Sequence, residues 1–254
     1  MPVNQWLCKK IEMKYIAQKG EIPKIGETWI PVGRKIHLIQ LCLFNADQVK
    51  QLVTKELSIV RIAPNRTLGA IFLSSYGPES TLEYDEFIVA PATVRYKHRK
   101  GYWVTHMYVN NEKAMWGGRI LGWPKEMANF DWPDLLPGKA AVMKDSDHIC
   151  TISYSKPFGS LKFWTQFYAP SVLDDKIMCH RFRFKADFGI CRVKHEIPKT
   201  SPIYDVCHSR IPILAIGGLN MKGFQAEGAE VLGFIPEKAT YTIQQLIKNI
   251  GNRD

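Results

Sequence analysis

Tyr102-Trp-Val-Thr-His-Met-Tyr-Val109, Asn110-Asn-Glu-Lys-Ala-Met-Trp-Gly-Gly-Arg-Ile-Leu-Gly-Trp-Pro-Lys125 and Glu126-Met-Ala-Asn-Phe130 follow one another directly, and this stretch decides how the rest of the chain is read. The first block is rich in branched and aromatic residues and reads as a strand. Asn110 or Asn111 is a favoured N-cap, and Glu112 falls in the first turn, where the helix dipole stabilises a carboxylate; a short helix is predicted there. Gly117 and Gly118 are expected to stop it. Gly122 and Pro124 then bend the chain and leave Lys125 beside Trp123, Met127 and Phe130. An amine in apolar company favours its neutral form, and a neutral amine is a nucleophile.

Working outward, Lys35–Phe44 is an apolar strand run, and the helix after it places Val49, Leu52, Val53 and Leu57 on one face. Leu57–Ile62, Leu68–Ser75 and Tyr84–Ala90 read as strands, as do Ala140–Met143, His148–Tyr154, Leu161–Tyr168, Ile177–Lys185 and Ile190–His195. Asp145-Ser146-Asp147, Pro157-Phe158-Gly159 and Ala186-Asp187 are the expected turns. Pro212–Ile216 and Glu230–Ile235 are further short strands, and Thr242–Ile250 a closing helix. Residues 1–30, punctuated by Pro23 and Gly26, read as a loop-rich arm. Many short strands with few helices imply a mostly β (α+β) fold, a sheet curled into a barrel or packed as a sandwich. No repeat or interior linker divides the chain, so residues 1–254 read as one domain.

The 254 residues are 46% hydrophobic and 23% charged, enough apolar material for a sizeable core. The formal charge of +10 is spread along the whole length, without the basic-aromatic interleaving of a nucleic-acid platform. No nucleic acid partner is expected, and the charge would help steer small anions. Six cysteines without C-x-x-C pairs fit free thiols in a reducing compartment. With no apolar run of eighteen residues and no leader-like N-terminus, a cytoplasmic location and no membrane partner are expected. No His, Cys or carboxylate set has metal-ligand spacing, and no dinucleotide or P-loop fingerprint occurs, so neither metal nor cofactor is expected.

The ordered blocks Met107-Tyr108-x-Asn110-Asn111-Glu112-x-Ala114, Gly118-Arg119 and Gly122-x-Pro124-Lys125 resemble the acetoacetate decarboxylase family. The resemblance is clear over residues 84–130 and weaker over 30–83. It implies a closed or cone-like β barrel with a few peripheral helices, a homo-oligomer, and a Schiff base between Lys125 and a keto acid. It also implies that Glu86 is the catalytic carboxyl and that Arg34 pairs with the substrate carboxylate. Tyr84, His106 and Trp123 complete the candidate substrate-binding set, His106 through its place on the core strand beside Met107. Arg119 reads as structural, tying the helix end to a nearby acid.

Two positions depart from the family pattern. Glu126 stands where a second lysine is usual, and Ile71, fifteen residues before Glu86, where a second glutamate is common. A free lysine has a pKa of about 10.4, leaving about one molecule in 2,500 neutral at pH 7. A carboxylate about 5 Å away, at an effective dielectric near 20, favours the ammonium by about 3 kcal/mol. Glu126 therefore opposes the chemistry unless strand alternation turns it to the other face. Three functions remain open on the sequence: a β-keto acid decarboxylase, a Schiff-base aldolase-dehydratase acting on pyruvate-like acids, and a barrel that binds a small apolar acid without turnover.

Overall fold

The structure is a computed structural model that describes residues 17–22, 27–135 and 137–235. In chain order the elements are β1 (Gly33–Asn45), α1 (Ala46–Lys50), β2 (Ser58–Ile59), β3 (Arg61–Ala63), β4 (Arg66–Tyr76), β5 (Tyr84–Ala90), β6 (Ala92–Tyr96), β7 (Arg99–Trp103) and β8 (His106–Val109). There follow α2 (Glu112–Ile120), β9 (Lys125–Met127), β10 (Asn129–Leu135), β11 (Gly138–Lys144), β12 (Asp147–Tyr154), β13 (Phe158–Leu173), β14 (Lys176–Ile190), β15 (Val193–Glu196), α3 (Tyr204–Cys207) and β16 (Ile211–Phe234). Among the described residues, a nine-stranded sheet runs β13-β14-β16-β1-β4-β5-β8-β9, with β3 paired to β4. A four-stranded sheet (β10-β11-β12-β15) and a three-stranded one (β2-β6-β7) accompany it.

Side-chain alternation gives the large sheet two working faces. Ile36 and Leu38, Ile71 and Leu73, Phe87 and Val89, and Tyr108 point to one face and join Val142, Ile149 and Ile152 of the four-stranded sheet in the larger core cluster. Their neighbours His37 and Ile39, Phe72 and Ser74, Glu86 and Ile88, and Met107 line a cavity on the other face. Residues from β13 and β14, at the far end of the sheet, line the same cavity, so the sheet curls around it.

The expected closed barrel is corrected: among the described residues no sheet closes, and the large one ends at β13 and β9. The three-residue β9 offers too little backbone for a ladder to the sixteen-residue β13. The loop before Lys125 bridges the gap instead. Ser171 Oγ donates to the Leu121 carbonyl at 2.7 Å, and Gly122, at φ +78°, presses on the Val172 carbonyl so closely that a Cβ would stand 2.5 Å from its oxygen. That position requires glycine both for its dihedral and for its contact.

Other expectations shift in the same way. The helix after β1 is capped by Asn45 but ends at Lys50, where i→i+3 bonds from Leu52 and Val53 replace the helical ladder. The strand read over Tyr102–Val109 is broken between Trp103 and His106, and Trp103 donates its indole N–H to the Leu52 carbonyl. Phe158 and Gly159, read as part of a turn, open β13. Ala186 and Asp187, read as a turn, lie within β14, where pairing with both β13 and β16 overrides local preference. The two short strands beyond Pro212 are one, β16. The five described cysteines are free and buried. Among the described residues no helix is long and apolar enough to cross a membrane. The closing helix expected over Thr242–Ile250 lies outside the described residues.

Candidate active site

Lys125 opens β9, and its position follows from three local devices. Asn111 caps α2, its side chain accepting from Ala114 N–H at 3.0 Å. The helix then runs through Gly117 and Gly118 to Ile120, so these glycines do not stop it. They make room instead: a Cβ on Gly117 would meet the Trp29 ring at 2.9 Å, and one on Gly118 would meet Lys125 Cδ at 2.3 Å. After the Gly122 bend, Lys125 N–H donates to the Trp123 carbonyl, and Arg119 Nε donates to the Lys125 carbonyl at 2.8 Å. Arg119 is structural, as expected, but it holds the lysine's own backbone rather than an acid.

β9 pairs parallel with β8, Met107 opposite Lys125 and Tyr108 opposite Glu126. Met107 lines the cavity and Tyr108 lies in the core on the other face, so Lys125 points in and Glu126 points out, where it pairs with Lys144. The carboxylate that does meet the amine is Glu86. Lys125 Nζ lies 2.9 Å from Glu86 Oε1, the two side chains 4% and 7% exposed. Tyr76 donates its hydroxyl to Glu86 Oε2 at 3.1 Å, and the Trp29 and Tyr84 rings each stand 5.0 Å from Nζ. Burial, reinforced by the Glu86 charge, pushes the Tyr76 and Tyr84 phenols well above their usual range, so both remain protonated donors.

The cavity around this pair measures about 110 Å3. His180, whose Nε2 faces Ser171 Oγ at 2.8 Å and the Leu121 carbonyl at 3.1 Å, packs against Trp123 with ring centroids 4.6 Å apart. His37 is fully buried, and among the described residues neither ring nitrogen has a hydrogen-bond partner. Burial lowers its pKa to about 3, so it is neutral, with one N–H to give and one lone pair to accept. The Trp29 indole N–H is likewise without a partner among the described residues. Among them, too, Lys125 is the one lysine or arginine lining the cavity.

Of the six residues singled out from the sequence, the structure brings Lys125, Glu86, Tyr84 and Trp123 together around the cavity. Arg34 is not with them. Its guanidinium pairs with Glu83 Oε1 at 2.5 Å and Asp85 Oδ1 at 3.3 Å, acids that alternate with Tyr84 and Glu86 along the chain and so face the other way. His106 is corrected for the same reason: it shares the Tyr108 face, and its Nδ1 lies 2.9 Å from Thr105 Oγ1. Ile71 also lies on the core face, so its identity does not alter the cavity. Opposite Glu86 on β4 stands Ser74. Trp29, His37, Ser74 and Tyr76 escaped the sequence reading, and Gly118 entered it as a helix stop and a motif residue rather than as part of the cavity wall. The i, i+2 spacing of Phe72, Ser74 and Tyr76 was available as a signal for the β4 face, whereas Trp29 comes from the arm with no local signal.

The curled, mostly antiparallel sheet is a fold shared with solved structures of the acetoacetate decarboxylase type. The structure is similar to acetoacetate decarboxylase from Legionella pneumophila, with a TM-score of 0.63 and 13% identity over 90% of this chain and 95% of that one. It is also similar to an acetoacetate decarboxylase-like enzyme from Sphingomonas wittichii RW1 (0.57; 12% identity; 81% and 92% covered). A third similar structure is the enduracididine biosynthesis enzyme MppR complexed with pyruvate (0.51; 10% identity; 80% and 91% covered). Residues 33–155 match the family model described as acetoacetate decarboxylase (ADC), and that segment belongs to the acetoacetate decarboxylase family. Comparison with curated proteins finds no match.

Proposed function

We propose that this protein is a lyase that forms a Schiff base between Lys125 and a keto acid and decarboxylates a β-keto acid. The observation that carries the reading is the buried ion pair: an amine held 2.9 Å from a carboxylate inside an apolar cavity. For the amine to attack, its extra proton must leave, and Glu86 is the acceptor in contact. Nζ then bonds to the ketone carbon, water departs with the ketone oxygen, and a protonated imine remains. The bond to the carboxylate carbon breaks, its electron pair moves towards the imine nitrogen, and CO2 leaves. Glu86, emptied when its first proton left with the ketone oxygen as water, takes a second proton from solvent and delivers it to the enamine carbon, and hydrolysis of the imine releases the ketone and restores the amine.

The charge pattern favours loss of CO2 over retention of the acid. Among the described residues Lys125 is the one cavity-lining lysine or arginine, and Glu86 lies beside it. A substrate carboxylate in this setting is poorly compensated, and leaving as neutral CO2 relieves that cost. The aldolase-dehydratase reading draws support from the similarity to MppR with pyruvate, a keto acid.

The test is borohydride reduction in the presence of acetoacetate or pyruvate, followed by peptide mapping and parallel measurement of CO2. The expected result is one reduced adduct on Lys125 and CO2 from the β-keto acid, both abolished in Lys125→Arg, whose guanidinium stays protonated. Labelling at another lysine, or undiminished labelling in Lys125→Arg, refutes the reading. An adduct without CO2 selects the aldolase-dehydratase.

A further inference from the structure

The ladders of the large sheet set two rows of side chains across the cavity wall. Glu86 on β5 stands opposite Ser74 on β4, which stands opposite His37 on β1. Two residues along each strand, Ile88 stands opposite Phe72, and Phe72 opposite Ile39. A strand rises about 3.3 Å per residue, so the polar and apolar rows lie about 7 Å apart. Lys125 sits between them: its amine meets Glu86 of the polar row, and its backbone is opposite Met107, itself opposite Ile88 of the apolar row.

Behind the apolar row the wall is aromatic. Phe72 stacks towards Phe167 at 6.3 Å between centroids, Phe167 stacks on Phe182 at 5.0 Å, and Tyr102 meets Phe167 edge-on at 6.0 Å. All four rings line the cavity.

We infer that the apolar row and the rings behind it form a subsite for a hydrocarbon tail. The substrate is then a 3-oxo acid whose ketone carries an alkyl chain of several carbons, or an aryl group, in place of methyl. The inference rests on the Schiff-base reading of Lys125 and specifies its substrate class. The polar row takes the carboxyl-bearing side of the ketone, where the nitrogens of His37, unpartnered among the described residues, offer a hydrogen bond. The apolar row takes the other side. Ring stacking geometry of this kind suits flat or flexible apolar groups.

The experiment is the rate of CO2 release from acetoacetate, 3-oxohexanoate, 3-oxooctanoate and benzoylacetate, with Lys125→Arg as the blank for spontaneous loss. Each buried methylene is expected to raise kcat/KM about fourfold, so 3-oxohexanoate should exceed acetoacetate by about 15-fold. Ile39→Phe, which fills the tail subsite two strands away from β5, should reduce that advantage to about twofold. The substrate series on the unaltered protein stands even where the variant does not fold. A flat or falling series, with the borohydride adduct still on Lys125, overturns the tail subsite and leaves the Schiff-base reading intact. No adduct with any acid overturns both.

Discussion

Gly118→Ala separates the positioning of the lysine from the stability of the fold. A Cβ at this position would stand 2.3 Å from Lys125 Cδ, 2.7 Å from Cε and 2.8 Å from Cγ. Carbon atoms in ordinary contact lie about 3.5–4.0 Å apart, so the lysine chain has to retreat by about 1.2 Å or more. The retreat is cheap for stability, because the clashing atoms belong to a flexible side chain. Alanine is also the better residue in a helix interior, by about 0.5–1 kcal/mol over glycine. Catalysis is less tolerant: a misplacement of about 1 Å can cost about 100-fold, or about 2.7 kcal/mol of transition-state stabilisation. Thermal unfolding and single-turnover borohydride trapping on the same preparation test this. The melting temperature should hold or rise while trapping and turnover fall about 100-fold. Trapping within threefold of the parent protein, in a folded variant, would show that the α2–β9 contact does not set the position of the amine.

Glu126→Lys should leave the trapping rate unchanged within about twofold, because Glu126 pairs with Lys144 on the outer face; loss of that exposed pair should cost no more than about 1 kcal/mol in denaturant unfolding. A marked acceleration of trapping would mean that Glu126 faces the cavity. Glu86→Gln removes both the acceptor of the amine's proton and the carrier that serves the enamine carbon, so trapping should slow and turnover should fall about 100- to 10,000-fold. Trapping and turnover both within about threefold of the parent protein would remove Glu86 from the proton path. Burial lowers the pKa of His37 and His195 to about 3 and of His106 and His180 to about 4, against about 6.5 when unfolded. The unfolded chain therefore binds more protons between those limits, so stability is full above about pH 6.5 and falls as pH drops towards 4, by up to about 5 kcal/mol per pH unit. Denaturant midpoints that stay flat from pH 7 to 4.5 would contradict the burial of these rings.

The sequence by itself determined what depends on neighbouring residues. An asparagine cap at 110 or 111, the bend at Gly122, the strand over Tyr84–Ala90 and Lys125 at the end of the loop all rest on signals a few residues long. The ordered motif around Lys125 carried the family, and the alternation of Tyr84, Asp85 and Glu86 already put Tyr84 and Glu86 on one face. Tertiary structure decided which partners meet across the chain. Parallel pairing of β8 and β9 turned Glu126 outward, and the Glu83–Asp85 face captured Arg34. Glycines that read as a helix stop became the space filled by Trp29 and Lys125. The row Glu86–Ser74–His37 joins three strands, and the aromatic wall joins Phe72 of β4, Tyr102 of β7, Phe167 of β13 and Phe182 of β14, with Phe167 more than eighty residues from Glu86. Ladder register and sheet curvature are set by the packing of whole strands, and no local run of residues encodes which side chain will stand opposite another.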